Sequence, residues 1–321
     1  MGNHLSDKGL LCPRCESQSY RILLQGSDHL YQTTQKKFSV IECSTCTLIR
    51  LLPKPTPDEY VSYHPKHYWW KPKKTLLGLL TELYRRVAIW DHVRFITSSS
   101  APSGLTLDIG AGGGMLSQEM HRNGRPSISL DFSPTATQIA ACEGLPTVRA
   151  YAPDMPFIAQ SFSAVVMLHV LEHVENPVDC LSAVRQLLRP GGKLFIQVTN
   201  ASSWQFLLFG RHWSALDIPR HLVHFRTDDL EDLLSTCGFH VVRRKFFSLR
   251  DNPASVATSL LPSWEPAVRA ARETHESSVG TALKNFLYFA LVALSFPFAI
   301  LEAVAMAGST VLLEAVLHED K

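Results

Sequence analysis

The chain has 321 residues, 45% of them hydrophobic, which is enough for one large domain or two modest ones. Its 31 basic and 29 acidic residues nearly cancel, which argues against a partner held by bulk charge, nucleic acid above all. No apolar h-region opens the sequence, so a secretory signal is not expected, and the seven cysteines read as metal ligands and free thiols before disulfides. The expected compartment is the cytoplasm, with the inner face of a membrane as an option.

Met1-Gly2 with Ser6 fits the short N-myristoylation pattern, which is too loose to build on. Residues 1–57 read as a cysteine module. Cys12-Pro-Arg-Cys15 and Cys43-Ser-Thr-Cys46 are two C-x-x-C knuckles, 27 residues apart, around a β-rich stretch (Tyr20 to Leu24, then Phe38 to Glu42). Four thiolates from two such turns suit a tetrahedral structural Zn²⁺. Reduced buried cysteines or a redox pair are the alternatives, and iron suits the same four thiolates. Cys142, Cys180 and Cys237 fall on predicted helices and read as core packing.

Pro53, Pro55 and Pro57 end the module, because proline blocks helix and sheet ladders alike. Residues 58–100 then read as a helical linker, with aromatics at Tyr60, Tyr63, Tyr68, Trp69 and Trp70. Lys66, Lys71, Lys73, Lys74, Arg85, Arg86 and Arg94 cluster there against only Glu82 and Asp91, for which a solvated basic surface is the simplest account.

From 101 to 251 the pattern alternates β and α, which implies a mainly parallel sheet. Strands are expected at 105–109, 127–131, 146–150, 163–169, 193–199 and 239–247, and helices near 114–122, 134–142, 178–188 and 228–236. Pro190-Gly191-Gly192 reads as the turn before the fifth strand. Residues 252–308 form a hydrophobic insertion. Asn285 to Leu301 holds 17 residues without a charge, interrupted by Pro297, against the roughly 20 apolar residues of a membrane span. Residues 309–321 supply a closing strand. If that strand rejoins the sheet, the apolar run must start and finish on one side. That favours a buried hairpin or a membrane-surface element over a crossing helix.

The run Leu107-Asp108-Ile109-Gly110-Ala111-Gly112-Gly113-Gly114-Met115 carries the most chemistry. It reads as strand, acid, tight glycine turn and helix start. Glycines let the backbone turn sharply and approach a ligand, and the helix start offers free N–H groups. A dinucleotide fingerprint wants a third glycine where Met115 stands; the spacing is D-x-G-x-G-x-G instead. That resembles motif I of the class I S-adenosylmethionine (SAM)-dependent methyltransferases. The resemblance continues in order over about 105–250. Asp131 ends the second strand, where an acid accepts hydrogen bonds from ribose hydroxyls. Asp154-Met155-Pro156-Phe157 is similar to the family's D-L-P-F, Val165-Val-Met-Leu-His-Val-Leu-Glu-His-Val174 to its H-V-L-E-H-V run, and Arg189-Pro-Gly-Gly192 to its K-P-G-G. It implies an α/β, Rossmann-like sheet of seven strands with the last antiparallel. It also implies SAM held by Asp108, Gly110, Ala111, Gly112, Gly114, Asp131, Phe132, Asp154, Met155 and His169. Two positions depart from the family: Tyr151 stands where an acid is common, and Ser163 where Asp is common.

A methyl on a sulfonium already has an excellent leaving group, so the protein has mainly to align a nucleophile, exclude water and, for a hydroxyl or carbon acid, supply a base. Histidines are the base candidates. His169, Glu172 and His173 follow the fourth strand. Quinone O-methyltransferases are similar there but carry Glu in place of His169, within a metal site. Divalent-ion binding and plain cofactor contact both stay open for this trio. Trp213-Ser-Ala-Leu-Asp217-Ile-Pro-Arg220-His221-Leu-Val-His224-Phe225 resembles the D-x-P-R-H-x-x-H-F segment of methyltransferases that also carry the cysteine module. Asp217, Arg220, His221 and His224 are its candidates for substrate binding or base work, His221 first; a hydrogen-bonded loop latch is the alternative. No Asn/Asp-Pro-Pro-aromatic run follows strand four, as amino methylation of DNA would need, and no Pro-Cys, as pyrimidine C5 methylation would need.

The expected activity is SAM-dependent methyl transfer to a small-molecule, glycan or lipid-linked acceptor. Peripheral membrane contact is expected from the apolar insertion, Trp69-Trp70 beside lysines and the basic stretch. The rivals are an RNA methyltransferase gripping RNA by the zinc module, and a non-catalytic SAM-binding scaffold.

Overall fold

The computed structural model describes residues 10–65, 76–273 and 277–317. The Met1-Gly2/Ser6 motif, Tyr68, Trp69, Trp70 and lysines 66, 71, 73 and 74 lie outside the described residues, as do the side chains of Glu82 and Arg85.

Two sheets organise the chain. The larger holds β4 (Thr106–Ile109), β5 (Ser127–Asp131), β6 (Thr147–Arg149), β7 (Phe162–Leu168), β8 (Leu188–Thr199), β10 (Phe239–Lys245) and β11 (Thr310–Leu317). Its order is β10-β11-β8-β7-β4-β5-β6. β4, β5, β6, β7 and β8 pair in parallel, and β11 enters antiparallel between β8 and β10. This is the expected seven-strand sheet with the last strand reversed. The direction of winding changes at β4, between β5 and β7, and a crevice outside the carboxyl ends of strands at such a switch point is where open α/β sheets hold ligands.

Local chemistry explains the helices around it. Ser133 caps helix Pro134–Cys142 by accepting from the Ala136 N–H, and Asn176 caps Pro177–Leu187 through the Val178 and Asp179 N–H groups, each with proline in the first turn. Helix Leu76–Thr97 packs Ile89, Val93 and Ile96 against Leu116 and Met120 of helix Met115–Arg122 and against Phe195 of β8. Among the described residues the linker forms two helices, Pro57–Ser62 and Leu76–Thr97. Pro190-Gly191-Gly192 does not end β8: Phe162 pairs with Leu188 before it and Ala164 with Lys193 after it. The three residues are accommodated as an irregularity within the strand, with Gly191 at φ 72°.

The smaller sheet is antiparallel, β1 (Tyr20–Gly26), β2 (Phe38–Cys43), β3 (Ile49–Leu52) and β9 (Val223–His224). β9 comes from the loop after β8, so the N-terminal module is sewn into the larger body: Ile49 pairs with His224 and Arg50 with Val223. One continuous core joins Phe38, Val40 and Leu51 of the module to Leu107, Val165 and Val198 of the large sheet.

Of the two forms expected for the apolar run, the structure removes the buried hairpin. The run folds as one helix, Ser278–Val304, with Pro297 inside it, rather than as a hairpin. It is long and apolar enough to cross a membrane by length and composition, and only 28% of that window is buried.

Candidate active site

At the carboxyl end of β4 the chain turns through glycines at which a side chain would be strained. Gly110, Gly112 and Gly114 have φ of 69°, 55° and 79°, and a Cβ on Gly110 or Gly114 would overlap the side chains of Val170 or Leu145. Gly114 then caps helix Met115–Arg122. Two carboxylates flank the turn. Asp108 accepts from Ser117 Oγ (2.8 Å), and Asp131, at the end of β5, accepts from the Gly112 N–H (2.9 Å) and the Ser133 N–H (2.8 Å). Burial pushes the Asp108 carboxyl up to about 7, with Asp131 adding to it, and burial likewise raises Asp131. Neither has a cationic partner among the described residues. Around them stand exposed Phe132, its ring 6.2 Å edge-on from Tyr151, exposed Asp154, and Met155, half-buried against the core. Asp108, the 110–114 turn, Asp131 and Phe132 thus lie together at the switch point, with Asp154 bridged to Tyr151, whereas His169 of the same predicted set lies on the other side.

The other side is built from histidines. His169 directly follows β7 at φ 55°, a conformation that costs energy outside glycine and clusters at functional sites. Its Nε2 lies 3.3 Å from Asp251 Oδ2 and 2.7 Å from the Gln197 amide, and its Nδ1 3.4 Å from Glu172 Oε1. Burial disfavours the charged ring, but Asp251 and Glu172 outweigh it and hold the pKa at about 9. Burial also opposes the Glu172 carboxylate, which His169 nevertheless holds down at about 2. Gln197 reaches His92 Nε2 at 2.7 Å, and His92 Nδ1 lies 2.7 Å from Asp91. His169, Asp251, Gln197, His92 and Asp91 thus form one chain of polar contacts.

Next to it, His173 Nδ1 lies 3.0 Å from the Tyr60 hydroxyl and 3.1 Å from the Arg220 carbonyl, and its ring sits 4.7 Å from that of His221. His221 Nδ1 lies 3.0 Å from the Ala215 carbonyl; since a carbonyl only accepts, Nδ1 carries the proton and Nε2 is the lone-pair nitrogen. Burial lowers the pKa of His221, partly offset by Asp217. His224, on β9, is buried with both ring nitrogens unpartnered among the described residues. Burial, with His221 adding, pushes His173 and His224 down to about 3. His64 touches both sides, 6.3 Å from the ring of Phe132 and 6.3 Å from that of His173.

Arg220 and Asp217 sit differently. Arg220 is wholly buried. Its Nε donates to Asp217 (2.9 Å), Nη1 to Asp28 (2.9 Å) and the Tyr63 carbonyl (3.0 Å), and Nη2 to Asp28 (2.9 Å) and Asp217 (2.7 Å). These engage all five guanidinium N–H groups. Its face lies 4.5 Å from the centroid of Tyr31. The carboxyls of Asp28 and Asp217, although burial opposes their charge, are held below the usual range by Arg220. The pair ties loop 213–225 to the N-terminal module and leaves no donor for a ligand.

Among the described residues, one group of three or more ligand-type side chains converges closely enough for a metal: Cys12, Cys15, Cys43 and Cys46, their sulfurs all within 4.8 Å of one another. Cys12–Cys46 and Cys15–Cys43 are each 3.5 Å apart. A Zn–S bond of about 2.3 Å in a tetrahedron needs sulfurs roughly 3.8 Å apart, so the four thiols fit such an ion. His169, Glu172 and His173 do not form such a group.

Asp251, Gln197, His92, Tyr60 and Asp28 escaped the reading of the sequence. Asp251 directly precedes the insertion, in Arg250-Asp-Asn-Pro, where it reads as a turn; Tyr60 is one of several aromatics in the linker. The one available signal was their polarity beside buried elements.

A family model described as a methyltransferase domain matches residues 82–244. The chain belongs to that family. Its resemblance to class I SAM-dependent methyltransferases accordingly extends from motifs to family. Among curated relatives, the ubiquinone biosynthesis O-methyltransferase of Xanthomonas oryzae pv. oryzae (strain PXO99A) is 33% identical over 129 residues, covering 37% of this chain and 54% of the relative. That of Cereibacter sphaeroides (strain ATCC 17025 / ATH 2.4.3) is 30% identical over 166 residues, covering 48% of this chain and 66% of the relative. The match thus spans between about half and two thirds of these methyltransferases. A chain from the complex between the Haloferax volcanii Trm112 methyltransferase activator and a methyltransferase superposes with a TM-score of 0.50 at 18% identity, covering 74% of this chain and 92% of that one. At that identity the likeness shows the methyltransferase fold alone.

Proposed function

We propose that the protein transfers the methyl group of SAM to a small-molecule, glycan or lipid-linked acceptor, on oxygen as in the ubiquinone-pathway relatives. The observation that carries this reading is the pair of buried carboxylates, Asp108 and Asp131, without cationic partners beside a glycine turn at the switch point. Such carboxyls suit a ligand that brings an ammonium group and ribose hydroxyls. SAM supplies, when bound, a methyl on a sulfonium leaving group. Asp108 and the 110–114 turn would hold its methionine end, and Asp131 its ribose. Phe132 and Tyr151 would flank the adenine, aromatic contact replacing the acid common at position 151.

The chain's remaining work is to align the acceptor and take its proton. His221 suits the second task, since its lowered pKa keeps it neutral and Nε2 is the unprotonated nitrogen. Asp217 and Glu172 nearby favour the cation it becomes. His169, both of whose ring nitrogens are engaged by Asp251, Gln197 and Glu172, would serve as a positioning group rather than as a donor to the acceptor. Asp217 and Arg220 serve as the latch that presents His221, rather than as reacting groups. Cys12, Cys15, Cys43 and Cys46 would hold a structural zinc whose module carries β3 and, through it, β9.

The test is calorimetric titration with S-adenosylhomocysteine. One-to-one binding is expected. Asp131→Ala should weaken it about 10- to 100-fold, from the roughly 1.5–3 kcal/mol of hydrogen bonds to a charged group. A folded, zinc-loaded protein that binds no S-adenosylhomocysteine would overturn the reading.

A further inference from the structure

Helix Ser278–Val304 is built inside out. Its polar groups face the protein: Asn285 meets Arg269, the Tyr288 hydroxyl lies 2.9 Å from Thr258 Oγ1, and Glu302 accepts from Gln205 Nε2 at 2.6 Å. Its outward stripe is apolar at helical spacing, through Val279, Leu283, Phe286, Leu294, Leu301 and Val304, with Phe286 70% and Leu294 77% exposed. A surface helix in water shows the opposite arrangement. At 1.5 Å per residue the stripe runs for about 40 Å, well beyond the scattered exposed leucines of an ordinary soluble surface. Leu207, 77% exposed, and Leu208 extend it from helix Trp204–Phe209, whose Trp204 ring lies 6.2 Å from that of Phe298.

We propose that this helix, with residues 204–209 beside it, lies in the plane of an anionic lipid surface. The proposal does not rest on methyl transfer. Crossing is ruled out by geometry. The inward face is docked at its start on Arg269, in its middle on Ala257 and Thr258, and at its end on Gln205 and Asn252. β11 then begins in the sheet six residues after the helix ends. What remains free is one long side, the geometry of an interfacial helix.

The charges identify the occupant. From Ser277 to Leu317 the only acids are Glu302 and Glu314, both buried, and the one basic residue is Lys284. Exposed Arg211 and His212 follow Leu208 after Phe209 and Gly210, in a segment with no acid from 204 to 213. The patch is therefore apolar with a cationic rim, complementary to anionic headgroups. A second copy fits less well: a two-fold interface sets a patch against itself, and Arg211 would find no acid in the facing residues 204–213.

The test is flotation of the full chain with vesicles of phosphatidylcholine alone or mixed with phosphatidylglycerol. We expect flotation with the anionic vesicles and at least tenfold less with the neutral ones. Phe286→Glu with Leu294→Glu should abolish it, and Arg211→Glu should weaken it several-fold. Both substitutions face solvent, and an unchanged melting temperature with retained S-adenosylhomocysteine binding separates lost docking from lost fold. As a milder second variant, Leu294→Ser should reduce flotation several-fold. Protein that stays at the bottom with both vesicle types overturns the proposal. So does flotation indifferent to lipid charge and to the variants, or a dimer in solution that Leu294→Ser dissociates without any vesicle binding.

Discussion

The two sides of the candidate site treat buried carboxyls in opposite ways. On the glycine-turn side, Asp108 and Asp131 meet only hydroxyl and amide hydrogens, and burial raises both pKa values. On the histidine side, Asp28 and Asp217 share Arg220 and Glu172 shares His169, and the cations hold these acids ionised against the same burial. A carboxyl without a counter-ion is unstable in its charged form until a ligand supplies one. A carboxyl with an internal cation is structure, and its partner cannot be withdrawn cheaply. The first side is built to receive, the second to hold still.

The largest effect should come from withdrawing a cation on the second side. Arg220→Ala leaves Asp28 and Asp217 buried without a partner, and breaking such a pair costs about 3–5 kcal/mol. Urea denaturation should show that loss. The matching change on the first side should cost nothing: Asp108→Asn removes a charge that burial already disfavours, so at pH 8 the ligand-free protein should be unchanged or more stable. If Arg220→Ala and Asp108→Asn destabilise equally, the contrast between the two sides is wrong.

A smaller effect tests chemistry rather than folding. His221→Gln should lower kcat by about 10²- to 10⁴-fold, the usual contribution of a positioned base. The affinity for S-adenosylhomocysteine should not change, because His221 stands on the histidine side. Equal loss of cofactor affinity would mean that the two sides are not separable.

That separation also tracks what could be read from the residues in order. The glycine-turn side is local: Asp108 to Met115 is one strand–turn–helix, and Asp131 needs only the next strand. Spacing alone located it. The histidine side is assembled over long separations. Asp28 reaches Arg220 across 192 residues, Tyr60 reaches His173 across 113, and Asp251 reaches His169 across 82. A pattern read along the chain marked His169, His173 and His221, which sit in recognisable runs, but could not supply their partners. β9 went unread for the same reason. Two residues carry no periodicity, and Val223–His224 is a strand only because β3 lies beside it. The insertion left a hairpin and a surface helix both open, because hydrophobicity alone does not say which face is turned to the core.

The smallest effect is a slope, and it brings both sides into one measurement. His173 and His224 have folded-state values near 3, below the unfolded value of about 6.5. They bind protons only on unfolding, so the stability they protect is present above pH 6.5 and is lost as pH falls towards 3. Asp108, near 7 when folded, works in the reverse direction: the native state keeps a proton that the unfolded chain loses near pH 3.9, so stability falls as pH rises towards 7. At pH 5 to 6 these two histidines oppose Asp108, and Glu265 and Glu302, which burial raises to about 7, act on the side of Asp108. Each proton is worth about 1.4 kcal/mol per pH unit, so the informative quantity is how a variant changes the slope. His169 and Glu172 contribute little in this window, because their shifts act above pH 6.5 and below pH 4.5. Raised Asp131 and lowered His221 form a second opposing pair. His224→Gln removes one histidine and should lower the slope by about 1 kcal/mol per pH unit. Asp108→Asn removes one opposing acid and should raise it by about as much. Denaturant melts at pH 5, 5.5 and 6 on the three proteins would read this directly, and variants that shift the slope in the same direction would refute the assignment of opposite roles to the two sides.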